Sequence, residues 1–133
     1  MLNRLLTVLS LVLWALPAVA QDVDTAWVRI YNGTGDNSDY AYAIAVDAIG
    51  NVCVTGQSWG GGSGYDYATV KYYPDGDTAW VRRYNNVSGN GSDCAVAIDV
   101  DGAYNVCVTG YSWNGANTDY VTIKYDPDGT QLW

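Results

Sequence analysis

An all-β fold built from a repeated antiparallel sheet is what this sequence predicts, on three observations. The first is internal repetition. Asp24-Thr-Ala-Trp-Val-Arg-Ile-Tyr-Asn32 returns as Asp77-Thr-Ala-Trp-Val-Arg-Arg-Tyr-Asn85, with 8 of 9 residues matching. Ser38 to Gly56 returns as Ser92 to Gly110, matching at 13 of 19, and Asp66 to Gly76 returns as Asp119 to Gly129, matching at 8 of 11. A period of roughly fifty residues marks a solenoid, propeller or array. The second observation is period-2 alternation of β-branched and aromatic residues, broken by Gly, Asn and Asp-Gly. The third is composition: 14 Asp but no Glu, and only 6 Lys and Arg, so favoured helix formers are scarce.

Each element follows in order. Met1 to Arg4 is a short cationic start, Leu5 to Leu16 is apolar, and Pro17-Ala-Val-Ala20 has the small-x-small pattern of a cleavable leader, with Gln21 as the expected new N-terminus. Thr25 to Tyr31 is expected to be a strand that precedes the first repeat. Within a repeat four strands are expected. The first, Tyr42 to Asp47, puts Ile44 and Val46 on one face and Ala43 and Ala45 on the other. After the turn Ala48 to Asn51 comes the second, Val52 to Gly56, then a Gly- and Ser-rich loop from Gln57 to Tyr65. The third, Asp66 to Tyr72, ends in the tight turn Pro74-Asp-Gly76, where Pro presets φ and Gly accepts a positive φ. The fourth is Thr78 to Tyr84. The two copies differ by one-residue indels, and both fall in expected loops.

Four short antiparallel strands per repeat suggest a propeller blade. Asp39 to Gly56, and less closely Asp93 to Gly110, resembles the SBBP repeat of bacterial exported proteins, which implies a seven-bladed β-propeller repeat. That family has an aromatic residue where Cys53 and Cys107 stand, and the second copy has Tyr104 where the first has Gly50. The resemblance implies little about activity. On this reading residues 24–32 are an outer closing strand, 38–84 a first blade and 92–133 a second, truncated one, so the propeller is incomplete at about two blades. Known propellers have about four to eight blades, so the chain is expected to be the N-terminal piece of a longer protein. The alternative is a protomer that closes a ring by self-association.

A net charge of −8 argues against nucleic acid and anionic lipid as partners. There is no second apolar stretch able to cross a membrane, so an exported protein of the periplasm, cell surface or medium is expected. Cys53 and Cys107 hold matching positions and read as small buried residues, with a disulfide among Cys53, Cys94 and Cys107 as the alternative. There is no His, so a His-based triad is excluded and a catalytic zinc site is not expected.

Asp99 and Asp101 stand two apart on a strand, about 7 Å along the chain. They are candidates for a weak calcium site, since Ca²⁺ takes carboxylate oxygens, or for a glycosidase pair. The bland alternative is a hairpin whose Asp47 or Asp101 accepts hydrogen bonds from the turn backbone. Trp59 and Trp113 occupy matching loop positions and are candidate stacking residues for a ligand, or else staples for their own loops. Trp27, Arg29 and Tyr31, with Trp80, Arg82 and Tyr84, read as a same-face row of cation–π and stacking contacts. Three sequons, at Asn32, Asn86 and Asn90, lie where loop residues are expected anyway and carry no weight. The function expected is non-catalytic: an exported scaffold that binds protein or carbohydrate. The alternatives are the N-terminal part of a propeller hydrolase or lyase, and a purely structural segment of a larger surface protein.

Overall fold

The computed structural model describes residues 24–88 and 90–133. The leader expected over residues 1–20, and Gln21 after it, lie outside them. The described chain is all-β, with no helix. Seven strands form two antiparallel sheets that do not close on one another. The first sheet has the order β1 (Asp39–Val46), β2 (Val52–Trp59), β3 (Tyr65–Tyr72), β4 (Thr78–Tyr84); the second has β5 (Asp93–Val100), β6 (Val106–Trp113), β7 (Thr118–Tyr125). Each sheet is a meander, because every connection is too short for anything but an antiparallel neighbour.

The fourth strand lies where the sequence places it, and the other boundaries shift for identifiable reasons. β1 begins three residues early, at Asp39, and ends at Val46 because the Asp47 carboxylate folds back to the turn, accepting from the N–H groups of Ile49 (3.1 Å) and Asn51 (2.8 Å). β2 and β3 run to Trp59 and start at Tyr65, so the expected Gln57–Tyr65 loop shrinks to residues 60–64. Trp59 and Tyr65 close the ladder as a cross-strand pair with their rings edge-on at 5.1 Å. Residues 24–38 carry no ladder; Thr25 to Tyr31 runs alongside the first sheet instead of pairing within it.

β1 and β5 share a bulge, between Ala41 and Ala43 and between Ala95 and Ala97. Opposite it stand Gly56 and Gly110, and a Cβ on either would fall on the carbonyl oxygen of Tyr40 or Cys94. The bulge pulls backbone against backbone, which only glycine accommodates. Gly56→Ala is therefore expected to cost about 1–3 kcal/mol, read as a lower urea midpoint; an unchanged midpoint would show that the bulge opens freely. At the following turn Gly50 has φ 87° and Tyr104 has φ 65°, so the second copy holds a bulky residue in the left-handed region.

The two sheets stack through β5, which packs on β1, β2 and β3. Cys53, Tyr67 and Trp80 of the first sheet meet Ala95, Val106, Val108, Ile123 and Tyr125 of the second in one buried cluster. The first sheet also brings polar groups to this junction, and they are paired: Thr55 Oγ1 lies 2.8 Å from Thr69 Oγ1 and donates to the Ala68 carbonyl, and the Tyr67 hydroxyl donates to the Val121 carbonyl (3.2 Å). The two sheets thus meet through opposite faces of the same repeat. The Ile98–Val100–Val108 face of the second sheet is covered, while its counterpart on the first leaves Ile44 65% and Val46 61% exposed.

Candidate functional site

Each Trp–Arg row clamps a sheet, but only the Trp80 row lies between the two sheets; the Trp27 row joins an unpaired segment to the first. The Trp80 indole N–H donates to the Pro127 carbonyl (2.9 Å), its ring lies 5.7 Å from Tyr125, and the Arg82 guanidinium carbon stands 5.7 Å from the Trp80 ring. One repeat earlier, the Trp27 indole donates to the Pro74 carbonyl (3.1 Å) and its ring lies 5.7 Å from Tyr72. Thr25 to Tyr31 therefore sits on the first sheet as β4 sits on the second. It leaves a cleft of about 260 Å³ lined by Trp27, Arg29, Ala41, Ile44, Val54 and Val70. These contacts are structural in kind, since the same residue types make them in both copies.

Trp59 and Trp113 are not loop residues; they end β2 and β6. Both are half-buried, and each indole leaves no room for a side chain at the glycine beneath it, Gly35 under Trp59 and Gly91 under Trp113. Each ring pins the segment that leads into the next strand. The carboxylates at the start of β1 and β5 pin the same segments: Asp39 accepts from the Gly33 N–H (2.9 Å), and Asp93 from those of Asn86 (2.8 Å) and Trp113 (3.2 Å).

What the first repeat has and the second lacks is a row of tyrosines, Tyr40 and Tyr42 exposed and Tyr65 half-buried. Trp59 meets Tyr65, Tyr65 lies 5.9 Å from Tyr40, and Tyr40 stacks on Tyr42 at 6.4 Å with the rings 12° from parallel. The bulge in β1 lies beside Tyr42 and sets its ring over that of Tyr40. In the second repeat the three tyrosines are replaced by Cys94, Val96 and Thr118. The fold does not require the row, because the second sheet forms without it. Burial, followed by the neighbouring Tyr40, pushes the Tyr65 hydroxyl above its ordinary range, so Tyr65 stays uncharged at neutral pH. Sequence reasoning missed these residues by asking what repeats; a subtraction of one copy from the other finds them.

Asp99 and Asp101 are placed on β5 and in the turn after it. Asp99 accepts from the N–H of Val100 (2.8 Å) and is exposed. Asp101 accepts from the N–H groups of Ala103 and Asn105, both at 2.9 Å, and from the Asn105 side-chain amide, and pairs with Lys124 Nζ at 2.9 Å. Those bonds, Asn105 first and then Lys124, hold its carboxyl well below the usual range. Asp47 does the same work in the first copy with Asn51 and Lys71. A calcium ion at Asp101 has to displace Lys124 and the turn. No cluster of three or more Cys or Asp side chains that could hold a metal occurs among the described residues.

All three cysteines are free thiols; Cys53 and Cys94 are buried and Cys107 half-buried. Burial first, then Asp47, outweighs Lys71 and pushes Cys53 up to about 11, so it is an inert packing residue at neutral pH. Compared with known proteins, the chain matches no family model and no curated protein sequence.

Proposed function

We propose that the chain is a non-catalytic, exported repeat scaffold of the propeller-blade kind, related to the SBBP repeat, that binds carbohydrate through the aromatic row of its first repeat. One observation carries the reading: Tyr40, Tyr42 and Tyr65 form a continuous aromatic surface with Trp59, half in water, at positions where the fold accepts Cys, Val and Thr. Flat aromatic faces with polar tips suit sugar rings, whose axial C–H groups stack on them while hydroxyls stay hydrated. The blade reading is supported by a four-stranded and a three-stranded meander, built from a repeat of about fifty residues, that stack face to face around Trp80.

A glycan array is the direct test, followed by titration of the best ligand. Tyr42→Ala and Tyr65→Ala are each expected to weaken it roughly tenfold, at about 1–2 kcal/mol per stacked ring. Val96→Ala, the matching change in the second repeat, is expected to leave binding unchanged. An array with no binders, or equal losses from Tyr42→Ala and Val96→Ala, overturns the proposal.

A further inference from the structure

A half-open cavity of about 230 Å³ lies where the turn ends of the two sheets meet. Its walls come from the β1–β2 and β3–β4 turns of the first repeat and the β5–β6 turn of the second, with Pro127 and Asp128 after β7. Each of these turns is closed by a backbone bond of its own: Asp47 to Asn51 (3.0 Å), Tyr73 to Asp77 (2.8 Å), Asp101 to Asn105 (3.0 Å) and Asp126 to Thr130 (2.8 Å). The cavity is therefore built into the repeats. Two residues on its wall carry more than the fold asks of them. The first is Lys71. Its side chain is only 4% exposed, yet among the described residues Nζ has just the Pro127 carbonyl at 3.4 Å and Asp47 Oδ2 at 3.8 Å, the second too far for a hydrogen bond. The Pro127 carbonyl already accepts from Trp80 Nε1, and the Asp47 carboxylate from three N–H groups. An ammonium has three donors to place, so Lys71 lines the cavity with donors to spare. The second is Tyr104. It is held at φ 65°, where L side chains are rarely found, and the first repeat uses Gly50 (φ 87°) at the matching turn position. Glycine would relieve the strain; tyrosine keeps it and puts a ring on the cavity wall. Strain of this kind clusters at ligand sites.

We propose that this cavity binds one neutral polyol the size of a single sugar ring, with Lys71 donating to a hydroxyl oxygen at its floor and Tyr73 and Tyr104 flanking the ring. Size sets the upper limit: sites for drug-sized ligands run to about 300–1,000 Å³, so this one takes a ring and not a chain. Charge sets the class. Lys71 stands against Asp47 and Asp128 in a chain of net charge −8, so an anion is repelled overall, while a cation meets the Lys71 ammonium. A neutral polyol answers both: its oxygens accept from Lys71 and its hydroxyls donate to the exposed Asp128 at the rim. Its C–H faces lie on the tyrosine rings. The site is at the opposite end of the strands from the aromatic row and stands without it.

Glucose, galactose, mannose and myo-inositol are titrated into the isotope-labelled full chain, with glucuronate and glucosamine as charged compounds of the same size, and N–H shifts are read by NMR. At least one neutral compound is expected to shift the Asn51 and Tyr104 amides and the Trp80 indole N–H saturably, and to bind roughly tenfold more tightly than either charged one. Lys71→Met is expected to abolish those shifts. Tyr104→Gly restores the residue that the first repeat carries. It is expected to keep the urea midpoint no lower than that of the native chain while weakening binding roughly tenfold. Tyr42→Ala, in the aromatic row, is expected to leave the cavity shifts unchanged, so the two sites fail separately. No saturable shift at these three groups with any neutral compound, equal or tighter binding of glucuronate or glucosamine, or unweakened binding by Tyr104→Gly overturns the proposal.

Discussion

Trp80→Ala is expected to remove about 3–5 kcal/mol of stability. The indole is buried between the sheets, its N–H reaches the Pro127 carbonyl, and its ring lies against Tyr125 and the Gly129 backbone. Truncation creates a cavity at the junction, strips the Pro127 carbonyl of a donor and leaves Arg82 without the ring it stands over. Because the sheets share no ladder, the side chains of this junction hold the second sheet in place. Urea denaturation followed by circular dichroism reads the loss. Trp27→Ala is the matched control: the contacts are the same, but the side chain is half-buried and secures only an unpaired segment. Its loss is expected to be well under half as large. Equal losses would refute the clamp.

The second large effect is at Asp47. Its carboxylate is buried, receives the Ile49 and Asn51 N–H groups and the Asn51 amide, and faces Lys71 Nζ at 3.8 Å, itself buried and bonded to the Pro127 carbonyl (3.4 Å). Asp47→Ala leaves those donors unmet and a lysine buried with only a carbonyl, at a cost of about 3–5 kcal/mol. Asp101→Ala removes the same motif in water and is expected to cost far less.

Acid reveals the same asymmetry. Burial pushes the Asp47 carboxyl up, but the Asn51 side chain, the Asn51 and Ile49 N–H groups and Lys71 outweigh it and hold it below its ordinary value. A group whose pKa is lower folded than unfolded stabilises the fold above the unfolded value, and that stability is lost as pH falls through the folded one. The urea midpoint of the native chain is therefore expected to be flat near neutrality and to fall below about pH 4. Asp47→Ala should start lower and fall less steeply. A parallel pair of curves would show that other carboxylates carry the acid response.

Strand order, turn chemistry and the alternation of Ile44 and Val46 against Ala43 and Ala45 were legible, because a period-2 pattern seen twice fixes pairing within a sheet. The gap in which each Trp–Arg row acts was not. The face a strand presents can be read from its neighbours, but the sheet it meets depends on stacking that has no local signature. The aromatic row was hidden for a different reason: Tyr65 lies more than twenty residues from Tyr40 and Tyr42, and a bulge sets the rings side by side. Trp59 seemed a loop residue because Gly and Ser follow it, yet its cross-strand contact with Tyr65 extends the ladder past them.

The near-identity of Thr25–Tyr31 and Thr78–Tyr84 also bears on the order of events during synthesis. The earlier segment leaves the ribosome first, so the edge of β3 is open to it while β4 is still unmade. Pairing there closes a loop of thirty-three residues, whereas β4 closes one of five. The shorter loop is favoured by about 1.7 kcal/mol of chain entropy, and Arg83 adds an ion pair to Asp66 that Ile30 cannot form. A first occupant of that edge would therefore be displaced once its better-anchored twin appears, with a single arginine deciding which of two nearly equal segments belongs in the sheet.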